Sequence, residues 1–216
     1  AMCSPSRASV WTGLMPCQHG VHTWLDDRLT KDWPDDWNAV EEFETLPEIL
    51  KRSGFATAMI GKYHMHKLDK PQNGIEHWIT MARGHTLDFY NNEMRVNDKT
   101  FTYDQHSVDF FSEKAVEYIE DRAASPEQSF FLILPFNGPY GHWPSIKGPA
   151  INQFWQLYAD KPMTSVPREG INKKAIELYD LQKNLSGPGG PDFSSLLQIP
   201  NDLISLRNYY SQMSLI

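Results

Sequence analysis

The chain has 216 residues, a formal net charge of -7 and no block of lysine and arginine, which argues against nucleic acid as its main partner. No run of about eighteen apolar residues occurs, so no segment reads as a membrane span. Its two cysteines, Cys3 and Cys17, give no disulfide framework, although they could pair with each other.

Pro5 suits the first turn of a helix, because it has no N–H to leave unsatisfied there. A short helix from Pro5 toward Thr12, ended near Gly13, places Cys3 at its amino-terminal mouth, where backbone N–H groups and the helix dipole favour an anion. Gly13 to Asp36 reads as loop. Thr45-Leu46-Pro47-Glu48 has the form of a capping box with proline in the first turn, with Leu46, Ile49 and Leu50 as an apolar face and Gly54 as a stop. Phe55–Ile60 follows as a short strand closed by Gly61. Lys62 and His64 then lie just past a strand end, where open α/β sheets usually place their chemistry.

Residues 70–103 are polar and weakly patterned. From His106 to about Arg122, Val108, Phe111, Ala115, Tyr118 and Ile119 recur at helical spacing, and Phe130–Leu134 reads as an apolar strand stopped by Pro135. A helix followed by a buried strand, twice over, predicts a largely parallel sheet covered by helices. Residues 137–200 form a long region rich in glycine and proline, with one short helical pattern at Ile171–Leu181 and the clearest break at Gly187–Pro191. Such a connection suits a lid, wall or binding loop. Leu203, Leu206, Tyr210 and Met213 mark a last helix without a terminating signal.

Seven tryptophans and nine tyrosines lie largely in glycine- and proline-bearing stretches, Trp24, Trp33, Trp37, Trp143 and Trp155 among them. They read either as plugs seating loops on a core or as the lining of a cleft for a bulky or sugar-like ligand. The residues suited to chemistry are fewer. Cys3 at a helix mouth, with Arg7 one turn on, could act beside a bound anion; the plain alternative is a small buried hydrophobe. Lys62 can neutralise an oxyanion and His64 can move a proton, and extended backbone would point both the same way. His142, beside Trp143 and Pro144, is a third candidate. His19, His22, His66, His77, His85 and His106 read as surface or structural. His64, His66 and Asp69 only mimic a zinc cluster by spacing, and Asn184-Leu185-Ser186 fits a glycosylation acceptor.

Cys3-Ser4-Pro5-Ser6-Arg7, continuing to Thr12-Gly13, closely resembles the signature of the formylglycine-dependent sulfatases. Thr45–Leu50 and Gly54–His64 resemble a second stretch of that family, and residues 130–144 a third. The resemblance implies an alkaline-phosphatase-like α/β fold, a largely parallel sheet with helices on both faces, and conversion of Cys3 to formylglycine by a maturation enzyme. Its hydrate would attack the sulfur of a sulfate ester, plausibly on a carbohydrate, and would ligate one divalent cation, normally calcium. In that scheme Arg7 holds residue 3, Lys62 grips sulfate oxygens, and His64 orients or deprotonates the hydrate. His142 binds sulfate or assists the leaving oxygen, with Trp143 beside the substrate.

Two departures accompany the resemblance. Asn137-Gly138-Pro139-Tyr140 stands where the family often has Asn-Ala-Pro-His, and His142-Trp143-Pro144 is shifted by two residues. The family's metal aspartates precede its cysteine signature, so neither Asp26-Asp27 nor Asp35-Asp36 takes that role. Residues 1–216 therefore read as a partial catalytic domain, truncated at both ends, from a protein of an exported, periplasmic or secretory compartment. A phosphonate monoester or phosphodiester hydrolase of the same superfamily, and an inert binding homologue, are the alternative readings.

Overall fold

The computed structural model describes residues 3–25, 30, 32–34, 37–65, 71–82, 86, 89–138, 154–165, 207, 210–211 and 214. The chain divides into two units, Ala1–Asn137 and Gly138–Ile216. The first carries α1 (Cys3–Thr12), α2 (Pro16–His19), α3 (Leu46–Arg52), β1 (Ala56–Gly61), β2 (His77–Met81), β3 (Asn92–Val96), β4 (Lys99–Tyr103), α4 (Ser107–Ala123) and β5 (Phe130–Ile133).

The five strands make one sheet in the order β4-β3-β2-β1-β5. β1 pairs in parallel with β2 and with β5, while β2–β3 and β3–β4 are antiparallel. The parallel centre and the helical cover agree with the sequence reading. The antiparallel extension comes from residues 70–103, where short strands of mixed polarity carry little periodic signal. Register explains their stability instead: Met94, opposite Met81, is fully buried, while its neighbour Glu93 is exposed.

Alternation along β1 builds a core on each face of the sheet. Met59 and its partner Trp78 join Ala8 and Trp11 of α1 on one face. Ala58 and Ile60, with Ile79 and Met81, meet Phe110, Phe111, Ala115 and Tyr118 of α4 on the other. This is the period-two geometry of a central strand covered on both sides.

Three expectations need correction. Leu46 and Ile49 do not form the buried face of α3: they are 43% and 40% exposed, and Pro47 is the residue buried there. Ile119 of α4 is also exposed. β5 is apolar but not fully buried, since it pairs only with β1 among the described strands and Phe130 is 38% exposed. The cap of α3 holds, with Glu48 accepting from the Thr45 N–H at 2.7 Å and its hydroxyl at 2.8 Å.

In the second unit, α5 (Trp155–Tyr158) is followed by two contacts of Tyr158, a 2.7 Å hydrogen bond with the Ser214 hydroxyl and a ring contact with Tyr210. The expected helix at Ile171–Leu181 and the Gly187–Pro191 break lie outside the described residues, as does Asn184.

Candidate active site at the end of the first strand

α1 begins at Cys3, two residues earlier than Pro5 suggests, and Gly13 ends it with φ 71 and an N–H bonded to the Ser9 carbonyl at 2.8 Å. Cys3 thus occupies the first turn, partly exposed. Cys3 and Cys17 do not pair with each other in a disulfide.

β1 ends at Gly61, and the turn after it delivers the second pair of candidates. Gly61 has φ 135, and a Cβ there would lie 2.2 Å from the Pro135 carbonyl oxygen. Only glycine permits this approach, which lets the Lys62 N–H donate to that same oxygen at 2.7 Å. On the other side, the Arg7 guanidinium donates to the Lys62 carbonyl. Lys62 is therefore gripped through its backbone by β5's exit and by α1, while its ammonium reaches 3.8 Å from Cys3 Sγ. Its side chain is 1% exposed.

His64 does not continue an extended alternation from Lys62. It has φ 56, in the left-handed region, and is 1% exposed. Its Nε2 donates to the Leu25 carbonyl at 2.9 Å, and the Trp24 ring stands edge-on with centroids 6.4 Å apart. Leu25 N–H donates in turn to Ser4 Oγ at 2.9 Å. The loop expected over 13–36 therefore contains a working part of the site, along with the short helix α2.

Cys3, Arg7 and Lys62 are brought together directly, and His64 joins them through Leu25 and Ser4. His142 and Trp143 lie outside the described residues. Asn137 is buried at 1% exposure and exchanges hydrogen bonds with Ser107 Oγ at 2.8 and 3.2 Å, tying the exit of β5 to the start of α4. The sequence gives Ser4, Leu25 and Pro135 no role in the site, since Leu25 and Pro135 act there through backbone atoms.

A cavity of about 320 Å³ opens beside these residues, lined by Cys3, Ser6, Arg7, Trp11, Ile133 and Pro135. A larger one, about 600 Å³, lies under α4 against Ala56, Thr57 and His77. It touches β1 at Ala56 and Thr57, at the start of the strand rather than at Gly61, so size alone is a poor guide. The candidate residues Cys3, Arg7 and Lys62 gather where β1, β5 and α1 meet. Of the His64, His66 and Asp69 spacing, His66 and Asp69 lie outside the described residues. Among the described residues no three His, Cys, Asp or Glu side chains converge on a metal position. Cys3 alone does not make a cation site.

Comparison with known proteins places the chain in a family. A family model described as Sulfatase matches residues 1–213. The chain is 27% identical over 144 residues to an N-acetylglucosamine-6-O-sulfatase of Bacteroides thetaiotaomicron, covering 66% of this chain and 23% of that protein. It is 29% identical over 204 residues to the human N-acetylgalactosamine-6-sulfatase, covering 83% of this chain and 35% of that one. It thus spans roughly a quarter to a third of these curated relatives. The crystal structure of yidJ from Bacteroides fragilis superposes with a TM-score of 0.64 at 17% identity, over 99% of this chain and 45% of that one. A protein solved with its substrate D-glucosamine-2-N,6-O-disulfate gives a TM-score of 0.55 at 17% identity, over 100% of this chain and 52% of that one. These two likenesses concern the fold; the match along almost the whole sequence settles the family, and the chain belongs to the sulfatases.

Proposed function

We propose that the protein containing this chain hydrolyses a sulfate ester on a carbohydrate, with residue 3 as the nucleophile after its conversion to formylglycine. The observation that carries this reading is the Lys62 ammonium 3.8 Å from Cys3 Sγ, at the amino-terminal mouth of α1. Formylglycine supplies, as its hydrate, a hydroxyl that can attack sulfur and a second hydroxyl whose deprotonation expels sulfate.

This chain's own residues then have separable work. Lys62 neutralises the sulfuryl oxygens as charge grows on them, and its buried, backbone-gripped position makes that charge preorganised. Arg7 holds the Lys62 carbonyl and so fixes where the ammonium can reach. His64 takes and returns a proton at residue 3. The helix mouth adds partial positive charge without moving.

Support for a carbohydrate comes from the loop after α1. Leu25 lines a cavity of about 330 Å³ together with Trp33 and Trp37, whose rings meet edge-on at 4.3 Å, and with Glu41 and Glu42. An aromatic face beside hydrogen-bond acceptors suits a sugar ring and its hydroxyls. The two relatives above are named for 6-sulfated amino sugars, which makes 6-O-sulfated N-acetylglucosamine and N-acetylgalactosamine the first substrates to try. His142 and Trp143 would serve the leaving group. The calcium ion, the maturation enzyme and an exported or secretory location belong to the same reading.

The test is peptide mass spectrometry of residue 3 in the full protein coexpressed with a formylglycine-generating enzyme, followed by assays for released sulfate. Conversion of Cys3 with sulfate release supports the reading. Faster turnover of a phosphodiester or phosphonate monoester would transfer it to the superfamily rival, and an unmodified Cys3 beside a converted control sulfatase would leave an inert homologue.

A further inference from the structure

The hydrogen bonds around His64 give its two ring nitrogens different tasks. Nε2 lies 2.9 Å from the Leu25 carbonyl oxygen, which has no proton to give. Nε2 therefore carries the N–H, and in the neutral imidazole Nδ1 keeps the lone pair. Leu25 is held in its turn by Ser4, whose hydroxyl oxygen accepts the Leu25 N–H at 2.9 Å. Ser4 is fully buried and adjoins Cys3.

Ser4 and Arg7 are three residues apart on α1, so they share a face of the helix. Arg7 fixes the Lys62 end of the turn after β1, and Ser4 reaches its His64 end through Leu25. A residue at φ 56 is held by its surroundings rather than by its own preference, and this pair of contacts supplies part of that hold. The loop is anchored upstream as well. His19 Nδ1 accepts the Val21 N–H at 3.1 Å, so its Nε2–H is free to donate to Ser9 Oγ of α1 at 3.0 Å.

We propose that Ser4 is a positioning residue that, through the backbone of Leu25, holds His64 in its Nε2–H tautomer and so makes Nδ1 the basic nitrogen that serves residue 3. The inference rests on the reading of His64 as the group that moves a proton there. It also gives the residue beside the nucleophile a task distinct from recognition by the maturation enzyme.

The experiment uses the full protein with Cys3 conversion quantified by mass spectrometry, so turnover is counted per converted site. Histidine labelled with nitrogen-15 reports the tautomer of His64, its resonances assigned by their absence from His64→Gln. The expected wild-type signal is a protonated Nε2. In Ser4→Ala the signal moves toward a tautomer average, kcat on 6-O-sulfated N-acetylglucosamine falls about tenfold, and KM stays within about twofold. Ser4→Thr, which keeps the hydroxyl, restores the tautomer. His64→Gln keeps a donor for Leu25 but lacks a basic nitrogen, and should match the wild-type melting temperature while losing turnover at least a hundredfold.

A proton found on Nδ1 in the wild type overturns the proposal, as does an unchanged tautomer and kcat in Ser4→Ala. The nitrogen-15 signal needs no turnover. If it responds to Ser4→Ala while no sulfate ester is cleaved, the positioning stands and the reading of the substrate falls.

Discussion

Replacing Gly61 with alanine should damage both the fold and the site, by an amount that the geometry sets. The added Cβ would meet the Pro135 carbonyl oxygen at 2.2 Å, a backbone atom that cannot swing aside, so β1 or the exit of β5 must move. A side chain at φ 135 costs about 1–3 kcal/mol. Separating the strands also weakens the 2.7 Å bond from Lys62 N–H to Pro135, worth about 1 kcal/mol. The sum, about 2–4 kcal/mol, is a large part of the roughly 5–15 kcal/mol that holds a typical protein folded. Lys62 is the next residue, so a shift of about 1 Å also costs on the order of a hundredfold in turnover. Gly13→Ala is the control. Gly13 has φ 71, yet a Cβ there meets nothing within 4 Å, so only the left-handed backbone is disfavoured, by about 1 kcal/mol. Urea unfolding of both variants, with sulfate release measured beside it, decides the matter. A Gly61→Ala protein no less stable than Gly13→Ala would refute the close approach and the role given to it.

Arg7→Lys keeps the charge but loses the planar fork that reaches the Lys62 carbonyl, so turnover per converted site should fall at least about tenfold; unchanged turnover would leave Arg7 a role in maturation only. Tyr63→Phe removes a buried hydroxyl that accepts from Asn73 Nδ2 at 2.8 Å and donates to Asn38 Oδ1 at 3.3 Å, and should cost about 1–3 kcal/mol in denaturation. Burial also pushes that phenol well above its ordinary value, so ultraviolet titration should find no ionisation of Tyr63 while the protein stays folded. His77 is shifted the other way: burial first, then the charge of Arg122, lowers it from 6.5. The folded state then binds fewer protons than the unfolded one below that value, so stability rises with pH through this window and is lost as pH falls through the lowered value. His77→Phe should flatten that slope, as read by unfolding midpoints between about pH 5 and 7.

How much was legible in the sequence depends on where each residue keeps its information. β1 and α4 were legible because apolar residues recur there at the period of a strand or a helix, and the two faces of β1 do separate the cores around Trp78 and Phe111. β2, β3 and β4 were not, since an antiparallel edge is stabilised by partners far along the chain, as Met94 is by Met81. Leu46 and Ile49 show the converse: a helical pattern of apolar residues need not face inward when Pro47 and the Thr45–Glu48 cap orient the helix. Cys3, Arg7, Lys62 and His64 stood out by side-chain type and spacing. Leu25 and Pro135 could not, because any residue offers the same carbonyl, and what matters is where the chain places it.

That division bears on how the site holds its charge. Lys62 is seized at its N–H by Pro135 and at its carbonyl by Arg7, and His64 is seized at its ring by Leu25. Each of these three contacts is made at a backbone carbonyl, so each fixes position without itself altering a side chain's charge. Backbone carbonyls position without neutralising, and a buried cation so held is worth most when an anion arrives to share its low-dielectric surroundings. Under the proposed function, these backbone contacts fix where the Lys62 ammonium stands relative to residue 3, and its side chain is left to meet the anion.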